Sequence, residues 1–229
     1  MLTVEEFAKH LDLAYLLPNL QEKDILEACE IATKYKLANV NVNSYWAPLV
    51  VEKLKGTGVG PSAVIGFPYG ACSSQTKYAE LQEMVDIGCT ACDMVVNIGA
   101  VKDGDWDLVK EEIEAFVRIC GDGCDTKLIF EVAYLSDEEI ATLTKMSCEC
   151  GIDYVKTATG SAEFPDMHHV EIMRENLSGD TKIKVSGVPR TFTFPAVLYM
   201  FEEMGVSLSG TRSAGKLVES YKKYLEKKQ

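Results

Sequence analysis

What the chain has little of narrows it first. Only three histidines are present, His10, His168 and His169, so an imidazole-rich metal set cannot be built from sequence neighbours. Basic residues are in deficit: 23 Lys and Arg against 35 Asp and Glu leave a formal charge of -12, which repels a polyanion at long range and argues against nucleic acid as a partner. No apolar run approaches the ~20 residues that cross a bilayer, so no membrane association is expected. The segment from Met1 to His10 carries acids and lacks the basic flank and apolar run of a secretory signal, so a cytoplasmic location is expected. There is no internal repeat and no low-complexity stretch.

A second CxxC is also missing. Eight cysteines in an acidic chain read as reduced, buried small hydrophobes rather than a disulfide framework. Cys89-x-x-Cys92 is the best metal-like pair, but Cys89 follows Gly88 at a helix end while Cys92 enters the next apolar run, and no matching pair accompanies it. No metal site is expected.

What is present is one domain's worth of residues, 1–229, at 47% hydrophobic and 25% charged. Short β-branched runs alternate with segments of helical period, the sequence form of a parallel sheet covered by helices. The strand candidates are His10 to Ala14, Ala38 to Asn43, Ser62 to Phe67, Ala91 to Asn97, Thr126 to Ala133, Ile152 to Thr157, Thr181 to Ser186 and Val206 to Gly210. Each is followed by a helix candidate. After the fourth, Trp106, Val109, Ile113, Phe116, Val117 and Cys120 fall at steps of three and four and define one apolar face. Ser136-x-x-Glu139 is a capping box, and Gly88, Gly151 and Gly205 sit where helices should end. Eight such units in this length predict a closed (β/α)8 (TIM) barrel with its site at the strand C-termini; a doubly wound open sheet is the alternative.

Two lysines stand out, because an amine is costly to bury unless it is paired or used. Lys156 closes Ile152-Asp153-Tyr154-Val155, and Lys184 lies inside Ile183-Lys184-Val185-Ser186-Gly187, on the sixth and seventh strand candidates. Two cations in a partly desolvated mouth disfavour protonation of one of them, and a neutral amine can attack a carbonyl to give an iminium electron sink. Either lysine alone also fits a side chain reaching from a strand end to solvent. Asp93, inside Cys92-Asp93-Met94-Val95-Val96, must point into the barrel or meet a cation; it fits either a proton carrier beside the lysines or a structural ion pair. Asp12 admits the same two readings.

These residues stand in segments that resemble the 2-deoxyribose-5-phosphate aldolase family from about Asp12 to Gly215: Val64 to Pro68, Asp93 to Ala100, Glu131 with Tyr134 to Glu139, Tyr154 to Gly160, Lys184 to Gly187 with Arg190 and Thr191, and Gly210 with Thr211. The resemblance implies a class I aldolase without metal or organic cofactor, cleaving 2-deoxy-D-ribose 5-phosphate reversibly to glyceraldehyde 3-phosphate and acetaldehyde. It implies that Lys156 forms the Schiff base, Lys184 tunes it, Asp93 relays protons and Asp12 supports the relay. Thr159, Gly160, Gly187, Arg212 and Ser213 are the candidates around substrate and phosphate. A homodimer is common for such barrels, though no segment marks the contact face.

The phosphate end departs from the family. Val188 and Pro189 follow Gly187 where the family has a second glycine, and Gly210-Thr-Arg-Ser-Ala-Gly215 replaces a serine-rich turn. Arg212 either grips phosphate through charge-assisted bonds or is a surface arginine. Ser161 to Pro165 shortens the sixth loop and places Glu163 where an anionic substrate passes; Ala14 and Leu17 replace a threonine and a lysine, and Asn41 a cysteine. Gly210-x4-Gly215-Lys216 lacks the Ser or Thr of a nucleotide loop. An aldolase with altered acceptor preference and a non-catalytic sugar-phosphate-binding barrel therefore stay open beside the first reading.

Overall fold

The protein is described by a computed structural model over residues 2–187 and 192–228. Eight strands run β1 (Leu11–Tyr15), β2 (Asn39–Asn43), β3 (Gly60–Ile65), β4 (Ala91–Val95), β5 (Asp125–Ile129), β6 (Tyr154–Lys156), β7 (Lys182–Ser186) and β8 (Val206–Thr211). Each pairs parallel with the next, and β8 pairs with β1, so the sheet closes. The expected barrel is thus the observed one, and the open sheet is ruled out. Around it lie α1 (Val4–Lys9), α2 (Glu22–Tyr35), α3 (Ala47–Leu54), α4 (Ser74–Asp86), α5 (Ile98–Asp103), α6 (Trp106–Cys120), α7 (Asp137–Glu149), α8 (Met167–Asn176), α9 (Phe194–Glu203) and α10 (Ala214–Glu226). None of the described helices is long and apolar enough to cross a membrane.

The helix signals act as read. Ser136 accepts from the Glu139 N–H while the Glu139 carboxylate accepts from the Ser136 N–H, starting α7. Gly88, Gly151 and Gly205 take positive φ just after α4, α7 and α9. Two helices were not anticipated: α1 ahead of the barrel, with its own Thr3–Glu6 capping box, and α5, capped by Asn97.

Several strands are shorter than expected. β3 stops at Ile65 because Gly66 turns to φ 61°, and β5 stops at Ile129 because Glu131 enters the left-handed region at φ 55°. β4 stops at Val95 so that Asn97 can cap α5.

Alternation along each strand decides what faces the barrel interior. In β4, Cys92 and Met94 join the apolar layer under the helices, which leaves Asp93 pointing inward. Barrel interiors of this kind are dominated by bulky branched side chains. Here Asp12, Asn41, Ser62, Asp93, Lys127, Lys156 and Lys184 are buried instead. An inward carboxylate or amine must meet a partner, so the register that aligns these strands also builds the site.

Candidate active site

Register places the charges at one level: Asp93 lies opposite Lys127 across β4 and β5, and Lys156 opposite Lys184 across β6 and β7. Asp12 on β1 completes the ring from the far side. Lys156 Nζ and Lys184 Nζ each donate to Asp93 Oδ2 at 2.6 Å, so the two amines converge on one oxygen. Lys184 also donates to Asp12 Oδ2 at 2.6 Å. The four residues singled out in the sequence, Lys156, Lys184, Asp93 and Asp12, therefore form one connected cluster.

A fifth member was missed. Lys127 on β5 donates to Asp12 Oδ2 at 3.1 Å and stands 4.0 Å from Asp93 Oδ1. Its signal was present, since a lysine between Thr126 and the apolar run Leu128-Ile129-Phe130 has the same pattern as Lys184. Asn39 and Asn41 were missed as supports: their amides donate to Asp12 at 2.7 and 3.3 Å. Asn41, which read as a departure from the family, thus holds the Asp12 carboxylate.

With Lys127 included, three amines face two carboxylates. If all five groups are ionised the buried cluster carries one surplus positive charge, and releasing one proton removes it. Burial drives Asp12 upward, but the Lys127 and Lys184 ammoniums and their hydrogen bonds outweigh it and hold Asp12 well below the carboxylate range. The same balance, with Lys156, Lys184 and Lys127 opposing burial, lowers Asp93 to about 2. Lys127 is raised, because Asp12 and Asp93 outweigh its burial. Lys184 goes the other way: burial, helped by the Lys127 and Lys156 charges, overcomes the two carboxylates and lowers it to about 8. Lys184 is thus held below the ordinary lysine range while sharing one Asp93 oxygen with Lys156.

Access distinguishes the two amines. A cavity of about 290 Å³ opens at the strand C-termini, and Lys156 lines it whereas Lys184 does not. Thr159, Gly160, Gly187, Arg212 and Ser213 all line the same cavity, with Leu17, Phe67 and Phe164 among its apolar walls. Glu163 is exposed and does not line it. Val188, Pro189, Arg190 and Thr191 lie outside the described residues.

The loop after β6 is fixed by Glu131. Its Oε2 accepts from both the backbone N–H and the hydroxyl of Thr159, and burial, opposed by those bonds and by Lys156, raises its carboxyl. Gly160 follows at φ 80°, a conformation that costs a glycine least. Gly210 serves the amine directly: a Cβ there would stand 3.4 Å from Lys184 Cε and 3.1 Å from Ser186 Oγ. Gly215 has a different reason, since a Cβ would press on Tyr35 of α2 at 2.9 Å, so it is a packing glycine of α10 and not part of an anion loop.

A closed parallel barrel with a pocket-facing lysine above a buried proton-sharing cluster defines the class: an enzyme equipped for amine chemistry on a carbonyl. The family model described as DeoC/LacD family aldolase matches residues 15–194, and the chain belongs to that family. Deoxyribose-phosphate aldolase of Clostridium tetani is 37% identical over 218 residues, covering 95% of this chain and 100% of that one. The Bacillus subtilis protein of the same name is 38% identical, covering 80% and 83%. Among solved structures, the tetrameric deoxyribose phosphate aldolase of Aeropyrum pernix superposes with a TM-score of 0.87 at 25% identity, over 97% of this chain and 93% of that one.

Proposed function

We propose that the whole chain works as one barrel domain that cleaves 2-deoxy-D-ribose 5-phosphate reversibly to glyceraldehyde 3-phosphate and acetaldehyde, with Lys156 as the Schiff-base nucleophile. The observation that carries this reading is the pair of 2.6 Å bonds from Lys156 and Lys184 to one Asp93 oxygen, with Lys156 alone of the two lining the cavity. The family membership supports the reaction class.

In the cleavage direction the amine of Lys156 adds to the aldehyde carbon of the open-chain sugar. Loss of water from the carbinolamine gives the iminium. Removal of the C3 hydroxyl proton then breaks the C2–C3 bond, the electron pair moves into the iminium, and glyceraldehyde 3-phosphate leaves. Protonation of the remaining enamine carbon and hydrolysis release acetaldehyde and restore the amine. Asp93 carries protons between Lys156 and Lys184, a role its hydrogen bonds to both amines support, and Asp12 with Lys127 keeps the charge of the cluster matched through the cycle. Arg212, which lines the same cavity with the turn Thr211 to Ser213 before α10, receives the phosphate. The Ser213 N–H donates to the Thr211 hydroxyl and ties this turn, and Arg212 brings a positive charge to the cavity wall.

Eight free cysteines fit a reducing, cytoplasmic setting, and the assembly of the Aeropyrum pernix protein supports self-association, which we place at a homodimer or above. Incubation with acetaldehyde and glyceraldehyde 3-phosphate should yield deoxyribose 5-phosphate, and Lys156→Ala should abolish the yield. Full turnover in that variant, or ligand binding by the intact protein without any turnover, would reject the assignment.

A further inference from the structure

Away from the cavity, at the opposite end of β4 and β5, three cysteines from three segments meet under α6. Cys120 ends α6, Cys124 precedes β5, and Cys92 points from β4 into the layer between sheet and helix. All three sulfurs lie within 4.8 Å of one another, with Cys92 and Cys124 Sγ atoms 3.8 Å apart. The tight turn Gly121–Gly123 brings Cys120 and Cys124 together, and Gly121 adopts φ 56° to make it. The pair Cys89-x-x-Cys92 considered from sequence is not the one that forms, because Cys89 stays outside the group.

We propose that Cys92, Cys120 and Cys124 form a three-thiolate binding site for a soft monovalent cation, copper(I). A metal–sulfur bond of about 2.3 Å, the length of zinc thiolates, sets three sulfurs around one trigonal ion about 4 Å apart, so the observed spacing needs little rearrangement. Thiolates select soft ions, and copper(I) accepts three of them, whereas zinc asks for a fourth ligand. Among the described residues no further histidine, cysteine or carboxylate joins the three sulfurs.

The three thiols give up their protons on binding the ion. Gly121, Asp122 and Gly123, the turn that joins Cys120 to Cys124, are exposed, so two of the three buried sulfurs sit next to solvent-facing chain. This site is independent of the aldolase reading, since none of the three sulfurs contacts the lysine cluster through a hydrogen bond or ion pair among those described.

The test is an anaerobic competition between the reduced full-length protein and bicinchoninate for copper(I), followed by X-ray absorption on the loaded protein. The expected result is one ion withdrawn per chain and a single shell of three sulfurs. Cys124→Ser and Cys92→Ala should lose that ion, while Cys29→Ala and Cys148→Ser should keep it, with circular dichroism confirming that each variant is folded. Failure of the intact protein to withdraw copper, ligation by fewer than three sulfurs, or undiminished uptake by folded Cys124→Ser would overturn the proposal. The absorption measurement needs no variant and decides the matter even if the cysteine substitutions unfold.

Discussion

Replacing Lys184 by methionine tests the charge count of the cluster. The substitution keeps an unbranched apolar stem, one atom shorter, but removes one of three amines, leaving Lys127 and Lys156 against Asp12 and Asp93. The cluster is then neutral with every remaining amine protonated, and nothing favours proton release. In the intact protein Lys184 is lowered to about 8. In the variant the first release should move into the ordinary lysine range of about 10.4. At about pH 7.5 the free-amine population then falls from roughly one in four to roughly one in a thousand, a loss on the order of 100-fold, or ~3 kcal/mol. The assay is the single-turnover rate of acetaldehyde capture by cyanoborohydride, followed by mass across the alkaline range. The intact protein should rise with pH and level off just above 8, and Lys184→Met should keep rising toward ~10.4. A variant that still levels off near 8, or that loses less than a few-fold at neutral pH, would refute the reasoning.

Asp93→Asn removes the negative charge between two buried ammoniums and the group proposed to carry protons between them; trapping should fall on the order of 100-fold or more and urea unfolding should show a loss of roughly 3–5 kcal/mol. Acid should weaken the fold in a defined window: Asp93 is lowered in the folded state, so its contribution is complete above the unfolded carboxylate value of ~3.9 and is lost as pH falls toward about 2. That loss should amount to roughly 2 kcal/mol in urea titrations run through the window, and Asp93→Asn should abolish this component. At the other end Lys184 is also lowered, so the folded state binds fewer protons than the unfolded one between about 8 and ~10.4, and stability should climb there, a climb that Lys184→Met flattens. Arg212→Ala should raise KM for the phosphorylated sugar about 10-fold to 100-fold and leave that for free deoxyribose nearly unchanged, as steady-state kinetics on both substrates will show.

The barrel was legible because its cues are local: alternation of short β-branched runs with amphipathic segments, glycines at helix ends and the Ser136 box. Lys156 and Lys184 were legible because a lone lysine in an apolar run is conspicuous. Lys127 carries the same cue, yet its importance comes from facing Asp93 across β4 and β5 and Asp12 across the barrel, and that depends on register and closure. Asn41 illustrates the same limit, since a family difference read residue by residue gave no hint that its amide reaches Asp12. The three-cysteine group was hidden for a related reason: Cys120 and Cys124 are four apart, but Cys92 reaches them only once β4 pairs with β5. The loop consequences were less legible still. Glu131, whose left-handed backbone ends β5, holds Thr159 in place, and nothing in its neighbours signals that reach.

The most direct measurement is to reduce the protein with borohydride in the presence of acetaldehyde and map the added two-carbon mass by peptide sequencing. One ethyl group on Lys156, with Lys127 and Lys184 unmodified, is the expected result. Modification centred on Lys184, or no addition at any lysine, would contradict the assignment of the pocket-facing amine as the nucleophile.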